Sequence, residues 1–250
     1  MEFIVLTLFP DLISSFFSYG VIGRAFKNKI IFGQSIDIRD FTSDVHRTVD
    51  DKPYGGGCGM VMKPEILDSA IMDTKKQHPK ARVLLMTPQG IPFDQRKAQT
   101  MAHKNESLIF ICGRYEGIDA RVCQKHVDEE ISMGDFVMTG GELAAMAIID
   151  SVARLLPGVL GGEQSAQLDS FTSDRLEHEQ YTRPFKFGDD AVPEVLLSGN
   201  HKKIEEWRTR SSVMTTFIKR PDLFLTKAPD EQEKEILKDL RRELKKLVGN

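Results

Sequence analysis

Cysteine is scarce in this chain: Cys58, Cys112 and Cys123 are the three among 250 residues. An odd number without C-x-x-C spacing argues against a disulfide framework and a zinc ribbon. It fits a reducing compartment, and a cytoplasmic location is expected. His46, His78, His103, His126, His178 and His201 show no H-E-x-x-H or other ligand spacing, so no tight transition-metal site is expected. A G-x-S-x-G elbow is missing, as is a histidine in a recognisable frame with a cysteine, so covalent catalysis is not indicated. No apolar run approaches the ~20 residues that a membrane span needs. The apolar start MEFIVLTLFPDL lacks the basic flank and small-residue cleavage site of a secretion signal.

The length suffices to bury roughly 70 to 75% of the unfolded surface without staples, in one large domain or two modest ones. The net charge of -3 argues weakly against a nucleic-acid partner when taken alone. Yet residues 199–250 hold thirteen Lys and Arg against nine Asp and Glu, a local +4 that leaves -7 for the rest. A basic tail domain is compatible with that asymmetry.

The distinctive content lies between 84 and 141. Three glycine-containing turns follow one another: TPQG (87–90), CGRYEGID (112–119) and MGDFVMTGGE (133–142). The first two end the apolar runs ARVLLM and SLIFIC, which lack polar alternation, as strands covered on both faces of a parallel sheet do. VDEEIS precedes the third turn, which opens into a helical pattern over 140–156. That pattern is apolar nearly all round, predicting burial against the sheet or a second subunit. Ligands of open α/β sheets bind outside the carboxyl ends of the strands. The three turns are therefore expected to converge on one pocket, with Glu116, Asp119, Asp135 and Glu142 near it.

Ahead of this stretch, FIVLTL (3–8) predicts a buried strand, 12–19 and 21–29 predict helices, and the alternation of 35–39 predicts a strand nearer an edge. The expected fold class is α/β, a parallel sheet with helices on both faces. The segment DVHRTVDDKPYGGGCGMVM (44–62) fits no regular element, and its glycines match neither common phosphate-loop pattern. It is either a mobile surface loop or a flap carrying Asp50, Asp51 and Tyr54 to a ligand. Residues 63–72 resume as helix and 75–80 form a charged turn.

Beyond 156, residues 157–193 have little apolar content and predict a linker with at most short structure. Helical patterns then occupy 204–210, 213–219 after Ser211-Ser212, and 231–248, where Ile236, Leu237, Leu240, Leu244 and Leu247 form one packing stripe. The expected division is a first domain over 1–160, a flexible linker over 161–175 and a small all-helical domain over 176–250. The cluster Lys202, Lys203, Arg208, Arg210, Lys219 and Arg220, with His201 and Trp207, suits phosphate contact or a solvated helix face equally well.

Seven motifs in order, DDKPYGGG, TPQG, CGRYEGID, MGDFVMTGGE, DSF, YTRP and GNHKKIEEWR, resemble the bacterial tRNA (guanine-N1)-methyltransferases of the SPOUT class from residue 1 to about 223. The resemblance implies a deep C-terminal trefoil knot in the α/β sheet and a homodimer with its active site at the subunit interface. It implies methyl transfer from S-adenosylmethionine to N1 of guanosine 37 in tRNA, just 3′ of the anticodon. The donor would lie among Pro88, Gln89 and Gly90; Cys112, Gly113, Tyr115, Glu116 and Gly117; and Ile131, Ser132, Met133, Gly134, Phe136, Met138, Gly140 and Gly141.

The resemblance also implies Asp169 as general base and Arg154 as the cation facing guanine O6, with Glu116 touching the guanine or helping to hold Mg²⁺. Asp50, Asp51, Tyr54, Ser170, Tyr181, Arg183, Asn200, His201 and Arg208 would shape the tRNA side. Met133, Phe136 and Met138 stand where the family has Ile, Tyr and Leu. Glu177 and Gln180 stand where it usually has Asp and His, and neither enters the catalytic assignment. A non-catalytic tRNA-binding scaffold and a SPOUT enzyme acting on a ribose 2′-hydroxyl are the rival readings.

Overall fold

The computed structural model describes residues 1–162 and 169–248. The chain divides into two compact units, Met1–Glu163 and Gln164–Asn250. The first unit runs β1 (Glu2–Thr7), α1 (Pro10–Phe16), α2 (Gly20–Lys27), β2 (Phe32–Asp37), β3 (Asp50–Asp51), β4 (Val61–Met62), α3 (Pro64–Gln77), β5 (Arg82–Pro92), α4 (Gln95–Lys104), β6 (Leu108–Cys112), α5 (Ala120–His126), β7 (Glu129–Ser132) and α6 (Glu142–Ala153).

Five of these strands form one parallel sheet in the order β2-β1-β6-β5-β7. The absence of polar alternation in β1 and β6 has its physical cause here, because helices cover both faces. Side chains alternate across a strand. Phe3, Val5, Leu84 and Phe110 thus enter one core with Ala98 of α4 and Ile148 of α6. Ile4, Leu6, Val83, Leu85, Ile109 and Ile111 enter the other with Leu67 and Ile71 of α3 and Val122 of α5. Each such side chain contributes roughly 1.5 to 3 kcal/mol on full burial. β2 lies at an edge, as its alternation predicts.

Three local expectations are corrected. TPQG does not end its strand: β5 leaves the ladder after Met86 and rejoins it at Ile91, and both of those residues pair with Ile131. β7 carries no strand signal in the sequence because it is short and opens with two glutamates. Glu129 sits there because its carboxylate accepts from Arg82 Nη2 at 2.9 Å and pairs with Lys97. The segment 44–62 contains a two-residue antiparallel ladder, Asp50 opposite Met62 and Asp51 opposite Val61. Helix α6 turns Ala144, Ala145, Ile148, Ile149, Val152 and Ala153 to the core, as its apolar pattern predicts, while Leu143 is 58% exposed on the single chain.

The described part of the second unit holds a two-stranded antiparallel hairpin, β8 (Lys186–Phe187) and β9 (Asp190–Ala191), then α7 (His201–Lys219), α8 (Leu223–Thr226) and α9 (Glu231–Val248). The hairpin corrects the expectation of an all-helical unit, and α7 runs unbroken through Ser211-Ser212. Serine weakens a helix when its side chain competes for nearby backbone. Here Ser212 Oγ donates to the Leu176 carbonyl and Ser211 Oγ accepts from the Glu179 N–H, so both bond a neighbouring segment instead. Residues 163–168 of the expected linker lie outside the described residues.

Candidate active site

A cavity of about 360 Å³ opens at the excursion of β5 and the carboxyl ends of β6 and β7. Three stretches line it: Leu85 to Gln89 at the β5 excursion, Gly113 to Ile118 after β6, and Glu130 to Met133 with Phe136 to Gly141 after β7. The donor-site residues named above all line it except Gly90, Cys112 and Gly134. Those three stand outside the lining. A Cβ on Gly90 would meet the Ile131 nitrogen at 2.3 Å, so glycine there lets β5 touch β7. Cys112 is fully buried, and burial, reinforced by the charge of Glu142, pushes its thiol well above the ordinary range. Gly134 adopts φ 141 and its N–H donates to Ser132 Oγ.

Loops two and three are fastened to each other. The Gly141 N–H donates to the Gly113 carbonyl at 3.1 Å, and Arg114 bridges to Gly140 in antiparallel sense. A Cβ on Gly141 would come within 2.8 Å of Cys112 Cα and 2.9 Å of Met86 Cβ. Arg114 Nη1 donates to the Thr139 carbonyl at 3.1 Å, and its guanidinium lies 4.4 Å from the centre of the Phe9 ring. The same guanidinium faces Glu142, which is 1% exposed. Glu142 Oε1 accepts from the Thr7 hydroxyl at 2.8 Å and from Arg114 Nε at 3.3 Å. Oε2 lies 2.8 Å from Arg114 Nη2 outside hydrogen-bond geometry, so charge alone holds it.

The glycine-rich segment joins the rim. Glu116 N–H donates to the Met60 carbonyl at 2.9 Å, and Met62 N–H to the Gly117 carbonyl at 3.0 Å. Gly59, at φ 84, leaves room for the Glu116 carboxylate, whose Oε1 would stand 2.2 Å from any Cβ there. Asp50 and Asp51 form β3, whereas Tyr54 is fully exposed. Arg154 caps the carboxyl end of α6 and is half-buried, outside the cavity lining.

Asp169, Ser170, Tyr181, Arg183, Asn200, His201 and Arg208 belong to the second unit. Ser170 Oγ accepts from Glu177 N–H, and Asn200 caps α7 by accepting from Lys203 N–H. Tyr181 and His178 both pack edge-on against Trp207, at 6.0 and 6.2 Å between ring centres. The Tyr181 hydroxyl donates to Glu179, which raises its pKa. Arg208 pairs with Glu205 at 2.6 Å, while its buried Nε has no hydrogen-bond partner among the described residues. Arg210 and Arg220 are likewise paired, with Glu243 and Asp222. Of the basic cluster, Lys202 and Lys203 are exposed at the start of α7.

Residues 1–226 match the family described as tRNA (Guanine-1)-methyltransferase TrmD. The chain belongs to this family. It is 48% identical over 243 residues to the tRNA (guanine-N(1)-)-methyltransferase of Syntrophotalea carbinolica, covering 97% of this chain and 98% of that protein. It is 50% identical over 240 residues to the protein of the same name from Syntrophomonas wolfei, covering 96% and 97%. The counterpart from Anoxybacillus flavithermus is 48% identical over 243 residues, covering 97% and 99%.

Within the motifs shared with the tRNA (guanine-1)-methyltransferase family, Arg114 is a site residue that the sequence alone does not single out. It sits inside CGRYEGID, and Glu142 ends MGDFVMTGGE. An arginine inside one glycine-rich motif and a glutamate closing the next carry opposite charges, and that is the available signal. Leu85, Thr87, Val137, Thr139 and Ala144 also line the cavity without having been anticipated. No helix among the described residues is long and apolar enough to cross a membrane.

Proposed function

We propose that this tRNA (guanine-N1)-methyltransferase moves a methyl group from S-adenosylmethionine to N1 of guanosine 37, beside the anticodon. The observation that carries the reading is the single cavity assembled by three glycine-hinged loops at the strand ends. Its volume falls within the roughly 300 to 1,000 Å³ usual for small-molecule sites. Gln89, Gly113, Tyr115 and Ser132 line it beside Met133, Phe136 and Met138, a lining suited to a purine with polar edges. The cofactor supplies an electrophilic methyl group on a sulfonium.

The chain's own residues do the rest. Asp169 takes the N1 proton, since N1 is a poor nucleophile while protonated; such a base supplies about 10²- to 10⁴-fold. Arg154 offsets the negative charge that develops on O6. Glu116, held between Gly59 and the cavity, contacts the guanine. Among the described residues no three His, Cys, Asp or Glu side chains gather into a metal cage. A Mg²⁺ at Glu116 would therefore share its ligation with substrate phosphates. Holding N1 in line with the methyl group contributes ~7 to 11 kcal/mol.

Asp50, Asp51, Tyr54, Ser170, Tyr181, Arg183, Asn200, His201 and Arg208 contact the tRNA, in a molecule of two domains joined near 161–175. The trefoil knot is supported by the path of the chain: β7 lies outside β5, yet residues 140 and 141 return to bond the end of β6. A homodimer, which the family resemblance implies, would give cover to apolar side chains left open on the first unit, such as Leu143 at 58% and Ile91 at 64%. Incubation with tRNA transcripts and S-adenosylmethionine, followed by nucleoside mass spectrometry, tests the proposal. N1-methylguanosine at position 37 supports it; a ribose 2′-O-methyl product or no product overturns it.

A further inference from the structure

Arg175 is 4% exposed and lies among polar groups of its own unit. Its Nε and Nη2 donate to the two carboxylate oxygens of Glu233 at 2.7 and 2.9 Å. Nη1 donates to the carbonyls of Asp174 and Leu223, Nη2 also to that of Lys227, and the Phe224 ring centre lies 4.1 Å away. Glu233 in turn accepts from the Asp230 N–H and closes the first turn of α9. A buried ion pair is a poor way to gain stability, because desolvation offsets most of the attraction and apolar side chains pack as well. Its strength is geometric: a planar fork on a carboxylate fixes orientation.

What it orients is the turn that begins at Asp169. The Phe171 N–H donates to the Arg175 carbonyl at 2.7 Å, and the Thr172 N–H to the Asp169 carbonyl at 3.2 Å. Phe171 and Asp174 both hold left-handed backbone, at φ 70 and φ 64, which non-glycine residues keep only when their surroundings impose it. Just beyond, the Leu176 N–H donates to the fully buried Thr216 hydroxyl of α7.

We propose that Arg175 and Glu233 form a latch that positions the Asp169 turn. Through it α9, which lies past the last family-matched residue 226, takes part in methyl transfer. Both are positioning residues, and the inference rests on Asp169 being the general base.

The test uses full-length Glu233→Gln and Arg175→Lys beside Asp169→Ala, each assayed where circular dichroism shows it fully folded. Single-turnover transfer is measured at saturating S-adenosylmethionine and tRNA transcript, and both affinities are measured separately. The rate is expected to fall roughly 10- to 100-fold in the latch variants, with both affinities within about twofold of the parent. Glu233→Asp should recover part of the rate, and Glu233→Gln should add nothing to the loss in Asp169→Ala. Parental rates in fully folded Glu233→Gln and Arg175→Lys, or tRNA affinity falling in step with the rate, would overturn the latch. If Asp169→Ala keeps its rate, the base assignment fails and takes the latch with it. An inactive Asp169→Ala beside a fully active Glu233→Gln removes the latch alone.

Discussion

Arg114 Nη2 stands 2.8 Å from Oε2 of Glu142, a carboxylate almost sealed from solvent at the foot of α6. The pair ties the loop after β6 to the loop after β7, and Thr7 anchors both to β1. Arg114→Met strands a buried charge and should cost about 3 to 5 kcal/mol. Glu142→Gln, which keeps an acceptor for Thr7, should cost less. Urea denaturation of both single variants and the double variant measures the coupling, and additive losses would show that the two side chains act independently.

Gly141 has no room for a methyl group, because the obstacle is the Cα of Cys112 and not the tip of a flexible side chain. Overpacking of this kind costs ~1 to 3 kcal/mol. Gly141→Ala should lower the melting temperature and weaken S-adenosylmethionine binding together. Gly161→Ala, where a Cβ meets nothing within 4 Å among the described residues, serves as the control and should change neither.

Asp169→Ala should reduce turnover by about 10²- to 10⁴-fold. Calorimetry should find S-adenosylmethionine affinity close to that of the parent, because Asp169 is not among the residues lining the cavity. A large loss of donor affinity would contradict the role of base.

Burial pushes the Glu129 carboxyl up, but the hydrogen bond from Lys97 and the charges of Lys97 and Arg82 outweigh it, so its pKa lies below the ordinary 4.5. A depressed acid stabilises the fold above its unfolded-state pKa, and that stabilisation disappears as pH falls through the folded-state value. Melting temperature should therefore drop on acidification below about pH 4.5, and less steeply in Glu129→Gln. Identical slopes for parent and variant would assign the acid sensitivity to other carboxylates.

Lys202 and Lys203 should set the salt dependence of tRNA binding more than the neighbouring arginines do. Arg208, Arg210 and Arg220 already face Glu205, Glu243 and Asp222. Each lysine changed to Gln should reduce the slope of log affinity against log salt by ~1 if it meets a phosphate. Arg210→Gln should change it less, and filter binding across a salt series distinguishes these outcomes.

The sequence made β1 and β6 legible because Phe3 to Leu6 and Leu108 to Cys112 are short runs apolar at every position, as a strand covered on both sides is. It hid β7, since the partner that neutralises Glu129 lies 47 residues away at Arg82. Thr87 to Gly90 carries turn chemistry and looked like the end of a strand, although the ladder resumes at Ile91. Ser211-Ser212 looked like a break because its bonding partners, Leu176 and Glu179, lie far back in the chain. The glycine motifs of the cavity were legible as hinges. The Arg114–Glu142 clasp was not, because it joins motifs 28 residues apart through a contact that no periodicity encodes.

The excursion of β5 has both feet on Ile131. That part of the rim is stapled down and cannot swing as a door. A ligand that needs a wider mouth would have to displace the side of the rim between Met133 and Thr139, which has no such double anchor on the sheet.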